Sequence, residues 1–242
     1  MGQRYYLEQS PLVDAAEIIL DGPEAQHLIK VMRAKAGTVI ELFDGSGVEW
    51  EARIVDVRRN DVTLEVLGSE RVSREPAVQL TLGIALPKGD RQKWVIGKLV
   101  ELGVYQVVPL MTENGVAQPV EKAIGRLRRQ VVEASKQCGR NHLMKISEPC
   151  TLSAFLAQQF HHAWIAHPRS ADVATEIQSR TVAALNIESG TAGIAIGPEG
   201  GFSMGEVSKA ITAGWKPVEL GSRILRIETA AMAVAAQLLL GQ

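Results

Sequence analysis

The chain is poor in cysteine: Cys138 and Cys150 are the only two among 242 residues. Their separation is not that of a zinc site, and so few thiols read as a reduced pair rather than a disulfide framework. Histidine is scarce as well, five in all, and adjacent His161 and His162 would face opposite ways along a strand. No metal site is expected. Long hydrophobic runs are also lacking. The longest, Ala230 to Leu240, is about half of the ~20 residues a membrane helix needs, and Gln237 interrupts it. Met1-Gly2-Gln3-Arg4 leads into Tyr5-Tyr6-Leu7 and polar residues without the pattern of a secretory leader. The expectation is a cytoplasmic chain with no membrane partner. Excess charge of one sign is missing too, the net value being −1, so a nucleic-acid partner would require positive charge concentrated locally.

What is present is an ordinary globular composition, 46% apolar and 22% charged, in a chain long enough for a small and a medium domain. The front reads as β-rich. Residues 38–43 and 48–57 alternate like half-buried strands around the turn Asp44-Gly45-Ser46-Gly47, and 62–67 is a third strand. One helix is expected from Pro23 to Met32, with Ala25, Leu28, Ile29 and Met32 on one side. The polar stretch Ser69 to Pro76 marks a boundary. Beyond it strands and helices alternate, the pattern of a parallel α/β sheet. Strands are expected at 78–86, 106–110, 163–167, 192–196 and 217–220. Helices are expected at 91–102, 121–137, 152–160, 204–213 and 229–240.

Two loops stand out. In the first, the apolar strand 192–196 feeds Gly197-Pro198-Glu199-Gly200-Gly201, and Ser203 with Glu206 then forms a capping box. Such loops bind ligands beyond the carboxyl ends of open α/β sheets, because glycine lets the backbone approach a ligand. A phosphate loop is excluded, since no lysine follows Gly201 until Lys209, and Glu199 breaks the dinucleotide pattern. A tight turn without a ligand remains the alternative. The second loop, Leu220-Gly221-Ser222-Arg223-Ile224-Leu225-Arg226-Ile227-Glu228-Thr229, precedes a helix of small residues. Glu228 falls at that helix's start, where a carboxylate is favoured; its alternative reading is an Arg–Glu pair pinning a loop.

Basic residues gather locally. From Glu121 to Lys145 there are seven Lys/Arg against two Glu, with Arg126, Arg129, Lys136 and Arg140 at helical spacing. Lys88, Arg91 and Lys93 form a second cluster, and Lys30, Arg33 and Lys35 a third. Either phosphate contact or a solvated face fits such stripes.

Taken together, Gly197-Pro-Glu-Gly-Gly201 and Leu220-Gly-Ser-Arg-Ile-Leu-Arg-Ile-Glu-Thr-Ala230 resemble the RsmE family of 16S ribosomal RNA uridine-N3 methyltransferases, in the SPOUT superfamily. The resemblance extends in order through Leu42-Phe-Asp-Gly-Ser-Gly47, Leu86-Pro-Lys-Gly-Asp-Arg91, Lys98 to Val104 and Gln137-Cys-Gly-Arg140. It implies an α/β fold: a small PUA-like β-barrel, here 1–72, then a SPOUT-type parallel sheet, here 76–242, whose end threads a C-terminal trefoil knot. It also implies a homodimer that transfers methyl from S-adenosyl-L-methionine to N3 of a uridine, position 1498, of 16S rRNA in the 30S subunit.

Carried over onto this chain, the cofactor lies against His167 and Pro168, Gly197, Pro198, Glu199, Gly200 and Gly201, and Leu220, Gly221, Ile224, Leu225 and Arg226. Leu220, Ile224 and Leu225 pack on the adenine. From the chemistry of the reaction, Arg226 is expected to stabilise charge developing on the uridine carbonyls, and Glu228 to orient Arg226 or to act as the base. RNA would meet Arg33, Lys88, Arg91, Arg126, Arg129, Lys136 and Arg140. The chain departs from the family pattern at Asn114-Gly115, where Arg-Ser is common, at Lys136, where glutamate is usual, and at Ile227, which replaces a frequent threonine. Ribose 2′-O methylation and a non-catalytic ribosome-assembly role remain alternatives.

Overall fold

The computed structural model describes residues 4–11, 16–115, 121–167 and 180–240. They form two compact units: 1–74 together with 135–143, and 75–134 together with 144–242.

The first unit is a curled five-stranded sheet. Its strands are β1 (Arg4–Tyr6), β2 (Glu17–Leu20), β3 (Val39–Phe43), β4 (Val48–Val57) and β5 (Val62–Arg71), in the order β1-β3-β4-β5-β2. The alternation foreseen for β3 to β5 holds: Ile40, Leu42, Ala52, Ile54, Val62 and Leu64 enter one core with Tyr5, Ile18 and Leu28. Register shifts in β4 at Glu51/Ala52 and Ile54/Asp56 bend the sheet. Gly45 and Gly47, with φ of 88° and 93°, make the turn before β4 in a conformation open chiefly to glycine. The helix expected from Pro23 to Met32 is instead α1 (Gly22–Gln26) followed by a π turn, His27–Val31. There Met32 N–H bonds back to the His27 carbonyl at 3.1 Å, and the widened turn leaves Met32 39% exposed rather than on the buried side.

Residues 135–143 complete this unit. Asn141 is fully buried and donates through Nδ2 to the Val72 carbonyl and to Glu49 Oε2, both at 2.9 Å. Arg4 donates to the Ser135 carbonyl at 3.0 Å and also bonds the Asn141 side-chain oxygen.

The second unit is an all-parallel sheet flanked by helices. Along the chain it contains β6 (Val78–Ile84), α2 (Arg91–Glu101), β7 (Gln106–Met111) and α3 (Glu121–Cys138), whose last residues count with the first unit. There follow β8 (Lys145–Ile146), β9 (Cys150–Thr151), α4 (Leu152–Leu156), β10 (His162–Ala166) and β11 (Arg180–Thr181). The chain ends with β12 (Gly190–Ile196), α5 (Met204–Thr212), β13 (Lys216–Glu219) and α6 (Ile227–Leu239). The strand order is β11-β13-β10-β12-β6-β7-β8, with β9 also paired to β7. β6 and β12, buried on both faces, are the continuous apolar runs that a covered parallel strand requires.

Helices cover the sheet with the faces their spacing dictates. α3 buries Ile124, Leu127, Val131 and Ala134. α6 buries Ala230, Ala231, Val234 and Ala235, and these small side chains let it pack on α2, β6 and β12. Phe155, Phe160 and Trp215 cluster with centroids 5.2 to 5.9 Å apart, Phe160 and Trp215 edge to face and Phe155 tilted against both, and Trp215 donates its indole N–H to the Leu156 carbonyl at 3.0 Å.

Candidate active site

The sheet register builds the site. Ala166 of β10 lies opposite both Ile196 of β12 and Val218 of β13, and Ile196 lies opposite Ile84 of β6. The carboxyl ends of these four strands therefore finish level. The residues just beyond them, His167, Gly197, Glu219-Leu220 and Ala85-Leu86, open on one edge, where parallel sheets bind ligands. Two backbone bonds extend the alignment: His167 N–H to the Val218 carbonyl and Ala85 N–H to the Ile196 carbonyl, both 3.1 Å.

The first glycine loop turns tightly, Gly201 N–H bonding the Pro198 carbonyl at 2.8 Å with Gly201 at φ 69°. The foreseen capping box is present: Ser203 Oγ accepts from Glu206 N–H at 3.1 Å, and Glu206 Oε2 accepts from Ser203 N–H at 2.9 Å. Glu206 does more than the sequence suggested, because its Oε1 accepts from Glu113 N–H at 3.0 Å. That bond brings in the loop after β7, from which Asn114 Nδ2 donates to the Gly201 carbonyl at 3.2 Å. The glycine loop is thus held from outside itself. No sequence signal pointed to this pairing.

The second loop runs from Leu220 to Arg226, with Gly221 at φ 97°. Leu220 and Leu225 are half-buried, while Ile224 stands 92% exposed. α6 starts at Ile227, two residues before the expected Thr229, with Arg226 as its N-cap. Glu228 then lies in the first turn, where the helix dipole favours its carboxylate. Arg226 is exposed, with no ion pair or hydrogen bond of its side chain among the described residues.

One expectation is corrected here: Glu228 does not orient Arg226. Its Oε1 pairs with Arg91 Nη1 at 3.3 Å, because an N-cap residue in extended conformation and a side chain in the first helical turn project differently. Arg91, expected on the RNA face, instead sets its guanidinium between Glu228 and Glu199, the latter at 3.5 Å.

In this unit three side chains carry buried polar atoms with no partner among the described residues: His167 after β10 (both ring nitrogens), Glu228 at the start of α6 (Oε2) and Thr112 after β7 (Oγ1). Burial pushes the His167 imidazole below the ordinary histidine value, which favours the neutral ring. Buried polar atoms nearly always have partners, so these atoms are candidates for contact with a polar ligand. Glycine turns and unpaired donors and acceptors suit an adenosyl amino acid, whose ribose, amine and carboxylate need them. Pro168, the other residue expected at this strand end, lies outside the described residues.

The basic residues do not form one stripe. Arg126 and Arg129 of α3, Lys88 before α2, and Arg33 of the first unit are exposed with no ion pair among the described residues. Arg140 contradicts the helical-face expectation: Gly139, at φ 76°, ends α3, and Arg140 is buried at 4% exposure in the first unit. Lys136 is likewise held in the first unit, paired with Glu24 at 2.8 Å and lying over the Tyr5 ring. Sequence reading also missed Trp94, half-exposed one turn after Arg91. Among the described residues no three His, Cys, Asp or Glu side chains gather as a metal site, and no helix is long and apolar enough to cross a membrane.

Comparison with known proteins agrees with this geometry. Residues 74–239 match the family model described as RNA methyltransferase domain, and residues 20–67 match RNA methyltransferase PUA domain. The ribosomal RNA small subunit methyltransferase E of Synechocystis sp. is 30% identical over 243 residues, spanning 98% of this chain and 77% of that protein. A putative methyltransferase from Legionella pneumophila, solved in complex with the bound cofactor SAM, superposes with a TM-score of 0.88 at 29% identity. That match covers 98% of this chain and 96% of its own. The ribosomal RNA small subunit methyltransferase E of Neisseria gonorrhoeae, bound to S-adenosyl methionine, gives 0.83 at 28% identity over the same shares of both chains. The expected fold class, a PUA-like front and a SPOUT-type parallel sheet, is borne out, with the front domain a curled five-stranded sheet where a barrel was expected. With a family model spanning most of the sequence and a full-length likeness to curated relatives, the chain belongs to the ribosomal RNA small subunit methyltransferase E family of RNA methyltransferases.

Proposed function

We propose that this protein methylates N3 of a uridine in 16S ribosomal RNA, using S-adenosyl-L-methionine. The observation that carries the reading is the level meeting of two glycine turns with His167, whose ring nitrogens have no partner among the described residues, at one sheet edge in a chain of this family.

Gly197 to Gly201, Leu220 to Leu225 and His167 would hold the cofactor, which supplies a methyl group activated on a sulfonium. Leu220 and Leu225 offer apolar cover, and the exposed Ile224 gains a partner when a ligand occupies the loop. Uridine N3 carries a proton and is masked in a paired base, so the base must leave its stack before it can react. As that proton departs, negative charge spreads to the flanking carbonyl oxygens. Arg226, cationic, exposed and unpaired among the described residues, is suited to offset it. Glu228 is the carboxylate of the site, with one oxygen still unpartnered.

Arg33, Lys88, Arg126 and Arg129 supply phosphate contacts, which position RNA without reading its sequence. The family relationship supports a cytoplasmic homodimer acting on the 30S subunit. It also supports a trefoil knot at the chain end, in keeping with β13 pairing outside β10 while α6 returns to β6 and β12.

The test is transfer of labelled methyl from S-adenosyl-L-methionine into 30S subunits lacking the modification, followed by nucleoside analysis. The expected product is 3-methyluridine. Labelled 2′-O-methyluridine, or no label with cofactor still bound, would overturn the assignment.

A further inference from the structure

Arg91 is the first residue of α2, close beyond the carboxyl end of β6. Charge alone places it with Lys88 and Lys93 on a surface for RNA. Its geometry is different. The two terminal nitrogens of its guanidinium serve separate loops: Nη1 lies 3.3 Å from Glu228 Oε1, and Nη2 lies 3.5 Å from Glu199 Oε1. One cation thereby joins the start of α2, the glycine loop after β12 and the first turn of α6. A lysine, as a point charge, would not span two carboxylates with the same fixed fork.

The two arms differ. The Glu228 side chain is 10% exposed, whereas that of Glu199 is 53% exposed. A partly buried pair at a helix start is firm, while an exposed pair is screened and easily parted. Arg91 is therefore anchored on α6 and reaches out to the glycine loop. The pairing also divides the labour of the Glu228 carboxylate. Oε1 is committed to Arg91, and Oε2 is buried with no partner among the described residues. An orphaned acceptor beside a fixed cation calls for an N–H donor from a ligand.

We propose that Arg91 is a positioning residue of this site: it fixes the Glu228 carboxylate so that its second oxygen receives an N–H donor, and it ties the Gly197–Gly201 loop to the same point. The donor is either the α-ammonium of the cofactor or the N3–H of the uridine. This rests on the methyltransferase reading of the site, and its first arm needs only cofactor.

The experiment uses the full chain with Arg91→Ala, Arg91→Lys, Glu199→Ala and Glu228→Gln, together with the Arg91→Ala/Glu199→Ala and Arg91→Ala/Glu228→Gln double variants. Thermal melting first establishes that each is folded. Calorimetric titration with S-adenosyl-L-methionine then gives cofactor affinity, and methyl transfer to unmodified 30S subunits gives kcat and KM. Arg91→Ala is expected to lose tenfold or more in affinity or in kcat, with Lys restoring part of it. Both double variants should fall short of the summed single losses, as coupled neighbours do.

If the donor is the cofactor ammonium, Glu228→Gln weakens binding. If it is the uridine imide, Glu228→Gln lowers kcat at unchanged affinity. Arg91→Ala within twofold of wild type in both assays, or additive double variants, would overturn the proposal. Cofactor binding by the wild type without any transfer would instead count against the RNA reading, while the coupling in binding still judges Arg91.

Discussion

The carboxylate of Glu206 accepts the backbone N–H of Glu113 at 3.0 Å, across 93 residues of sequence, while also capping its own helix through Ser203. One buried side chain thus fastens the loop after β7 to the start of α5. Glu206→Ala keeps the Ser203 cap but strands two backbone donors, those of Ser203 and Glu113. It should destabilise the protein by about 2–4 kcal/mol on the usual scale for two unmade hydrogen bonds. Chemical denaturation measures this, and Glu206→Gln, which keeps one acceptor, should cost less than half as much.

Asn114 clasps the glycine loop through the Gly201 carbonyl at 3.2 Å, at an exposed position where the cost to overall stability is small. Asn114→Ala should leave the melting temperature nearly unchanged and weaken cofactor affinity several-fold, as the loop loses its outer tether. Equal affinities by calorimetry would show the loop to be self-supporting.

His167 should trade stability for function. Its ring is buried with both nitrogens unpartnered among the described residues, and burial lowers its pKa. Without ligand, His167→Phe removes an unsatisfied group that costs about 1–3 kcal/mol, so the melting temperature should hold or rise. Cofactor affinity should fall. The lowered value sets the direction with pH: the neutral-ring contribution is complete above the unfolded value of 6.5 and is lost as pH falls through the folded one. The variant should therefore lose less stability than wild type on acidification.

Tyr5 governs the alkaline side of the first unit. Burial, assisted by the negative charge of Glu24, pushes its phenol from 10.0 to about 12. Here the folded value exceeds the unfolded one, so the contribution is present below pH 10 and lost as pH rises through about 12. Denaturation midpoints across that range should decline, and Tyr5→Phe should decline less steeply.

Much of this architecture was legible because period and composition carry it. The alternation in β3 to β5, the apolar runs of β6 and β12 and the small-residue face of α6 follow from burial requirements visible within a dozen residues. The capping box of α5 and both glycine turns were equally local. Short elements escaped: β1 and β2 have three and four residues, too few for a period, and form because distant strands offer them partners. Helix α4 ends at Leu156 rather than Phe160, whose ring is taken up by Trp215 and Phe155. The pairing of Arg91 with Glu199 and Glu228 was not legible, because these partners lie 108 and 137 residues away, beyond any spacing rule. Arg140 failed for a local reason in plain view, the glycine before it.

Because residues 135–143 belong to the first unit, that unit cannot be excised as a contiguous piece. A fragment ending at Arg74 would keep every strand of the curled sheet yet forfeit Asn141, leaving the Val72 carbonyl and Glu49 without their buried donor. During synthesis the front sheet accordingly waits for more than sixty further residues to leave the ribosome before its last wall arrives. Swapping RNA-binding modules between relatives would have to graft two segments at once.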